Sequence, residues 1–337
     1  MVHVHSSECN HKRIFYLVAD YGGCGWYRCH VPGVALMKRG HDVILDHKIN
    51  TAIAESFDII VFQRQVHPGI LEVLKYANSI GKTTVYELDD DIWNIDMTNP
   101  GYPFWSKPHN LEAAQNTIRE AKLVTTTTKR LARYMNRFNK NTFVLPNMLP
   151  EEHWRVKPLR KKKGDPLIVG WAGSMHHWQD LNILEGTIQQ VIDEYPNIEF
   201  DIAGAGDAIP FRPHERMILW PSVKIEEYPK IINHFDIGLA PVTDKHFNKC
   251  KSDLKFIEYG MLGVPGIFSK VESYTGTVIH GENGFLAKNT KDWLRFIKLL
   301  IEDQDLRKTI GKNAKEYAIT RTIDKNIHLW EEAYGIE

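Results

Sequence analysis

The sequence predicts an α/β protein of two doubly wound, Rossmann-like domains facing each other across a cleft, and three observations carry that expectation. Short apolar runs recur along the chain, each leading into a glycine-rich or polar turn and then into helical periodicity, the pattern of parallel strands joined by crossover helices. The series stops at a basic, proline-punctuated stretch, residues 151–165, and then restarts. A length of 337 residues suffices for two domains that each bury a core.

In the first domain, residues 13–19 (RIFYLVA) read as a buried strand and 20–25 (DYGGCG) as a glycine-rich turn. A helical pattern over 26–39 ends at Gly40, and residues 42–46 form the next strand. Gly22 and Gly23 let backbone N–H groups approach a ligand closely, although the spacing is not the GxGxxG of a dinucleotide site. Arg28 reads equally as a phosphate contact and as an exposed helical arginine. The run 57–62 (FDIIVF) ends in Gln63, Arg64 and Gln65, at the strand end where open α/β sheets gather ligands.

A helix through Ala77 and a strand at 82–88 lead to Asp89, Asp90 and Asp91, adjacent carboxylates that suit a metal, a general base or a helix cap. Residues 98–108, with Tyr102, Phe104 and Trp105, read as a packed surface loop or an acceptor lid. Helix 111–121, strand 123–126, helix 129–138 and strand 142–145 complete the domain at Pro146 and Asn147.

The second series opens with strand 166–172, which runs into Gly173-Ser174-Met175-His176-His177, and a helix from Asp180 or Asn182 to Tyr195. Strand 199–203 leads to Gly204-Ala205-Gly206, and strand 235–240 to the loop 243–249. In residues 251–269 (KSDLKFIEYGMLGVPGIFS) Ser252 is placed to cap a helix ending at Leu262, with a buried strand at 264–268. At about 100° per residue, Lys255 and Glu258 share a face beside the helix N-terminus while Leu254, Ile257 and Met261 turn toward the core. Lys251, Lys255 and the first helical N–H groups make an anion site that suits phosphate, and Glu258 can accept two hydrogen bonds from a ribose diol. The alternative is an amphipathic surface helix whose Lys255 and Glu258 merely pair, worth a few tenths of a kcal/mol. A short strand at 284–286 and helices over 291–302, 305–318 and 323–334 end the chain.

Forty-two basic and forty-two acidic side chains cancel, so no overall field draws the protein to nucleic acid or membrane. Four cysteines without CxxC spacing fit a reducing cytoplasm. No segment approaches the roughly 20 apolar residues of a membrane span, and the polar N-terminal residues are unlike a signal peptide. His3, His5, Cys9 and His11 fall in a tail before the first strand, where a metal site lacks the folded support it needs.

Taken together, DYGGCGWYR, VLPN, VGWAGSMHH, FDIGLAPV, KSDLKFIEYGMLGVP and HGENGFL, in this order and spacing, make the chain resemble the GT-B glycosyltransferases, of the retaining, nucleotide-sugar-using family 4 type. The resemblance spans about residues 13–334 and implies an N-terminal acceptor domain (12–148), a C-terminal donor domain (149–321) and a last helix (322–337) that crosses back to the first domain. It assigns Lys251, Ser252, the Leu254 N–H, Lys255 and Ser174 to the donor diphosphate, with Gly173, and sets Gly204 and Gly206 near the base. Glu258 matches the family glutamate that holds the ribose. The first family glutamate, separated from the second by seven residues and holding the donor sugar, falls on Cys250, so that contact would come from Asp244, Asn248 or Lys249.

The resemblance further implies transfer from a UDP- or GDP-sugar to an acceptor hydroxyl without a metal or other cofactor, Lys251 and Lys255 stabilising the departing diphosphate. Asp89, Asp90, Asp91 and Trp105 then bind the acceptor, a saccharide or small molecule. A modified base in DNA, contacted by residues 160–163 and by the lysines of 245–255, is a second possibility. A catalytically silent nucleotide- or sugar-binding module is a third, favoured by Cys250, and a nicotinamide oxidoreductase is a weaker rival for want of GxGxxG.

Overall fold

The computed structural model describes residues 11–157, 159, 162, 164–206 and 209–336, with the side chains of Met175 and His176 left undescribed. Positions 3, 5 and 9 of the histidine- and cysteine-bearing tail, and Arg160, Lys161 and Lys163 of the basic stretch, lie outside the described residues. The chain divides into two units.

The first unit comprises the described residues up to Asp90, residues 105–148 and those from Ile323 on. Its six strands, β1 (Arg13–Leu17), β2 (Asp42–Asp46), β3 (Ile59–Gln63), β4 (Thr83–Leu88), β5 (Leu123–Thr126) and β6 (Thr142–Val144), form one parallel sheet in the order β2-β1-β3-β4-β5-β6. The inner strands are apolar on both faces because helices cover both sides of a parallel sheet, and Ile14, Tyr16, Leu17, Ile60, Val61, Phe62 and Val85 are wholly buried. The chain leaves β1 toward one side and returns to β3 on the other, so β1 and β3 bracket the topological switch point.

Arg28 is not the solvent-facing or phosphate-reaching residue expected from sequence. It is 2% exposed, and its Nε and Nη2 donate to the Glu87 carboxylate at 2.7 and 3.1 Å while Nη1 donates to the Leu145 carbonyl at 2.7 Å and Asn147 Oδ1 at 3.0 Å. The reason is local winding: residues Trp26–His30 form a π-helical turn before the α-helix Val31–Lys38, where Pro32 lacks the N–H that would continue the α-helical ladder. The turn carries Arg28 to the carboxyl ends of β4 and β6.

The C-terminal helices Ile323–Asn326 and His328–Tyr334 pack within this first unit. Trp330 is buried, the Tyr334 and Tyr16 hydroxyls lie 3.2 Å apart, and Arg39 Nε donates to Glu331 at 2.9 Å.

The second unit comprises residues 91–104 and 149–322. Its strands, β7 (Leu167–Ala172), β8 (Ile198–Ala203), β9 (Met217–Trp220), β10 (Ile237–Ala240), β11 (Gly266–Ser269) and β12 (Phe285–Ala287), are also all parallel, in the order β12-β11-β10-β7-β8-β9. Trp171, Phe200, Leu239, Ile267 and Trp293 anchor its core, each contributing roughly 1.5–3 kcal/mol by burial. Strand β9 escapes sequence reasoning because its four residues are half-exposed at the sheet edge.

Two further expectations need correction. Residues 175–184 wind as a 3-10 helix and the α-helix begins only at Thr187. The loop 98–108 contains a short helix, Tyr102–Trp105, and its first part goes with the second unit, not the first.

Candidate functional site

The helix Leu254–Met261 is held from both ends. Asp253, not Ser252, occupies the N-cap position, and its carboxylate accepts no helical N–H; instead it pairs with Arg321 at 2.9 and 3.2 Å, fixing the N-terminus to the end of helix Gln304–Thr320. Those two helices lie so close that a Cβ on Gly260 would meet the Ala314 carbonyl oxygen at 2.6 Å. Phe256, Ile257, Glu258, Tyr259 and Met261 are all buried, which removes the surface-helix alternative. Glu258 is 2% exposed, an unusual place for a carboxylate unless it has partners.

The partners stand at the carboxyl end of β7. Tyr228, on the short helix Tyr228–Ile232, donates 3.3 Å hydrogen bonds to both Glu258 Oε2 and the Ala172 carbonyl oxygen. The Lys255 ammonium donates to that same carbonyl and lies 5.5 Å from the Trp171 ring centroid. Burial lowers the Lys255 pKa; Glu258 opposes the shift and Lys251 adds to it. Lys251 Nζ lies 4.4 Å from the Phe247 ring centroid. Two cations thus lie near one another on one strand-end loop system, an arrangement that an anion would relieve.

The loop after β7 begins with Gly173 and exposed Ser174, and the loop after β8 with Gly204 and Gly206, whose φ angles of +79° and +70° favour glycine. Beneath them, Asp180 Oδ1 accepts from Thr243 N at 2.9 Å, Thr243 Oγ1 at 3.2 Å and Asn248 Nδ2 at 3.4 Å, while Asp180 Oδ2 faces His177 Nδ1 at 3.4 Å. Burial, and then Lys251, lower the His177 pKa, which keeps its imidazole neutral at pH 7.

Gly173, Ser174, Gly204 and Gly206 lie on the loops after β7 and β8, and Lys251, Ser252, Leu254, Lys255 and Glu258 on the loop and helix that follow β10, at the carboxyl edge of the second sheet, where such sheets take ligands. Sequence reasoning missed Tyr228 and Asp180. Tyr228 lies 30 residues before its partner Glu258, a separation with no spacing signal. Of the residues suggested to replace the missing glutamate, Asn248 is buried in the Asp180 network, and Asp244 and Lys249 pair with each other at 3.0 Å.

Gly22, Gly23, Asp89, Asp90 and Trp105 belong to the first unit. There the Asp89 carboxylate stands 3.9 Å from Arg64 Nε, and Arg64, in left-handed backbone conformation at φ +50°, also pairs with Asp20. Asp91 belongs to the second unit, fully buried and hydrogen-bonded to His246 at 2.8 Å.

The DNA-contacting alternative finds little in the lysines of residues 245–255. Lys245 pairs with Asp96, Lys249 with Asp244, and Lys251 and Lys255 face aromatic rings. Among the described residues no helix is long and apolar enough to cross a membrane.

Residues 166–303 match the family described as Glycosyl transferases group 1. No curated protein matches the chain. Among solved structures, Anabaena Alr3699/HepE in complex with UDP is 16% identical with a TM-score of 0.66, over 95% of this chain and 99% of that one. Sucrose-phosphate synthase from Thermosynechococcus elongatus is 14% identical with a TM-score of 0.71, over 96% and 98%. A glycosyltransferase from Rickettsia africae is 12% identical with a TM-score of 0.66, over 96% and 98%. At these identities the likeness is one of fold, and it extends over nearly the whole chain, while the family match falls on the unit that carries Lys255 and Glu258. Residues 166–303 thus resemble the group 1 glycosyl transferases, and nearly the whole chain shares the GT-B fold of these solved structures.

Proposed function

We propose that the protein transfers a sugar from a UDP- or GDP-sugar to an acceptor hydroxyl with retention of configuration, and that no metal is needed at the diphosphate. The observation that carries this reading is the convergence of Lys255, Glu258 and Tyr228 on the end of β7, with Lys251 on the adjoining loop. That Alr3699/HepE is seen with UDP and with UDP-glucose makes UDP-sugars the first donors to test.

The reaction breaks the anomeric C–O bond through an oxocarbenium-like state while negative charge grows on the leaving diphosphate. In the free protein the Lys255 ammonium donates to the Ala172 carbonyl. A diphosphate offers it a charged acceptor, and the attraction strengthens as the bond lengthens, which is the differential binding that catalysis requires. Glu258, held by Tyr228, supplies the fixed carboxylate for the ribose hydroxyls. Retention follows if the acceptor attacks from the face the diphosphate leaves, a diphosphate oxygen taking the acceptor proton. The acceptor is a saccharide or small molecule, bound by the first unit, which carries Asp20 and Arg64 on the loops after β1 and β3 and Asp89 after β4.

The test is a thermal-shift panel of UDP-, GDP- and ADP-sugars followed by assay of transfer from the stabilising donor. A donor at a hundred times its dissociation constant adds about 2.7 kcal/mol of stability. Stabilisation by a nucleotide sugar that is lost in Lys255→Ala and Glu258→Ala, together with transfer, supports the reading. Stabilisation without transfer or hydrolysis for any donor points to a silent binding module instead.

A further inference from the structure

One buried carboxylate oxygen in the second unit gathers three side chains around it. Asp91 Oδ2 receives Asn94 Nδ2 at 2.8 Å, faces His246 Nδ1 at 2.8 Å and lies 3.7 Å from Cys250 Sγ. The three donor atoms of Asp91, His246 and Cys250 lie within 4.8 Å of one another. Asp91 and Cys250 are buried, whereas the His246 side chain is 49% exposed, so the cluster opens to solvent on one side only.

The local structure explains how these groups meet. His246 begins the short helix His246–Lys249 and Cys250 is its C-cap, so the two side chains stand four residues apart on one face. Asp91 comes from 155 residues earlier in the chain, and Trp93 N donates to its Oδ1 at 3.3 Å, so Trp93 and Asn94 fix the carboxylate from behind. Two ligands at i and i+4 on a helix with a third from elsewhere is a common layout for zinc with an open fourth position.

We propose that Asp91, His246 and Cys250 bind a soft divalent cation, zinc by the chemistry of one thiolate, one imidazole and one carboxylate. With metal bonds of about 2.0–2.1 Å to nitrogen and oxygen and about 2.3 Å to sulfur, tetrahedral donors stand about 3.3 Å (N to O) and 3.5 Å (S to O) apart. The present 2.8 and 3.7 Å separations require shifts of only a few tenths of an ångström, and the exposed imidazole can supply most of them. The cation replaces the thiol proton, which goes to solvent, and His246 takes the tautomer protonated at Nε2 so that Nδ1 coordinates. With one thiolate and one carboxylate the site is neutral when loaded. Asn94 remains on Asp91 as the outer partner that orients it.

Such a site clips residues 91–104 to the loop leading into Lys251 and Lys255, alongside the contacts of Lys245 with Asp96 and of Thr98 with Gln179. It goes beyond sugar transfer, and none of its three ligands is a residue assigned to the diphosphate.

The test is titration of the full chain, stripped by chelation, with cobalt(II) and then zinc. Wild type is expected to develop a thiolate-to-cobalt charge-transfer band at one equivalent, bleached by zinc, and to gain thermal stability with zinc. Cys250→Ser should abolish the band, and Asn94→Ala should weaken cobalt binding about 10- to 100-fold with the band shape retained. Circular dichroism of each variant confirms folding. A band that survives Cys250→Ser, as the histidines and cysteine of residues 3–11 would produce, overturns the proposal, as does the absence of any band in wild type. Either failure leaves the nucleotide-sugar panel unaffected, since that panel is read on Lys255 and Glu258.

Discussion

Gly204 stands against the backbone of Gly173 so closely that a Cβ at position 204 would lie 2.1 Å from the Gly173 carbonyl oxygen. The loops after β7 and β8 are therefore packed main chain to main chain, and the neighbour that must move is a carbonyl, not a flexible side chain. Gly204→Ala, which also strains a φ of +79°, is expected to cost about 2 kcal/mol or more and to weaken donor binding. Gly23→Ala, with nothing within 4 Å of the added methyl, should stay within about 0.5 kcal/mol of wild type. Urea unfolding of the two variants checks the contrast.

Lys255→Met should separate binding from stability. Burial lowers the lysine's pKa, with Glu258 opposing and Lys251 adding to the drop, so the folded protein holds this ammonium against a penalty at neutral pH. The penalty is present below the folded pKa and relieved as pH rises toward the ordinary lysine value. Replacing the charge by an apolar side chain is expected to raise the thermal midpoint at pH 7. The same change should reduce donor affinity roughly 10- to 100-fold, the worth of one charge-assisted hydrogen bond. A lowered midpoint with unchanged affinity would refute both parts.

The same lysine gives a pH signature. An anionic diphosphate favours its charged form, so donor affinity should be full below the Lys255 pKa of the free protein and fall as pH rises through it. Calorimetric titration from neutral to alkaline pH should show that fall in wild type and a flatter profile in Lys255→Met. Parallel profiles would assign the effect to another group.

Arg28 predicts a purely structural defect. Its guanidinium and the Glu87 carboxylate are both nearly inaccessible, at 1% and 3% side-chain exposure, so removing one partner strands a buried charge. Arg28→Ala should destabilise by about 3–5 kcal/mol, and the double change Arg28→Met with Glu87→Met should restore most of that. Equilibrium denaturation of single and double variants is the check. A single variant as stable as wild type would show that the pair is dispensable.

Much of the architecture was written locally. Apolar runs such as IIVF and FDIGLA announce buried parallel strands, since both faces of such strands are covered, and the glycines and prolines after them mark the turns. The segment from Lys251 to Gly263 declares a helix beginning beside two lysines in the same way. Edge strand β9 and the 3-10 helix Met175–Leu184 were not legible, because neither carries a strong period.

What the sequence by itself determined was the kind of fold and the residues that could meet an anion: two parallel αβ series, and Lys251, Lys255 and Glu258 beside one helix start. Only the tertiary structure decided which charges have partners. It buried Arg28 on Glu87, and brought Tyr228 to Glu258 and Cys250 to Asp91. The physical reason is range: periodicity and turn chemistry act over a few residues, whereas ion pairs and buried hydrogen bonds are set by which strand ends the crossovers place side by side.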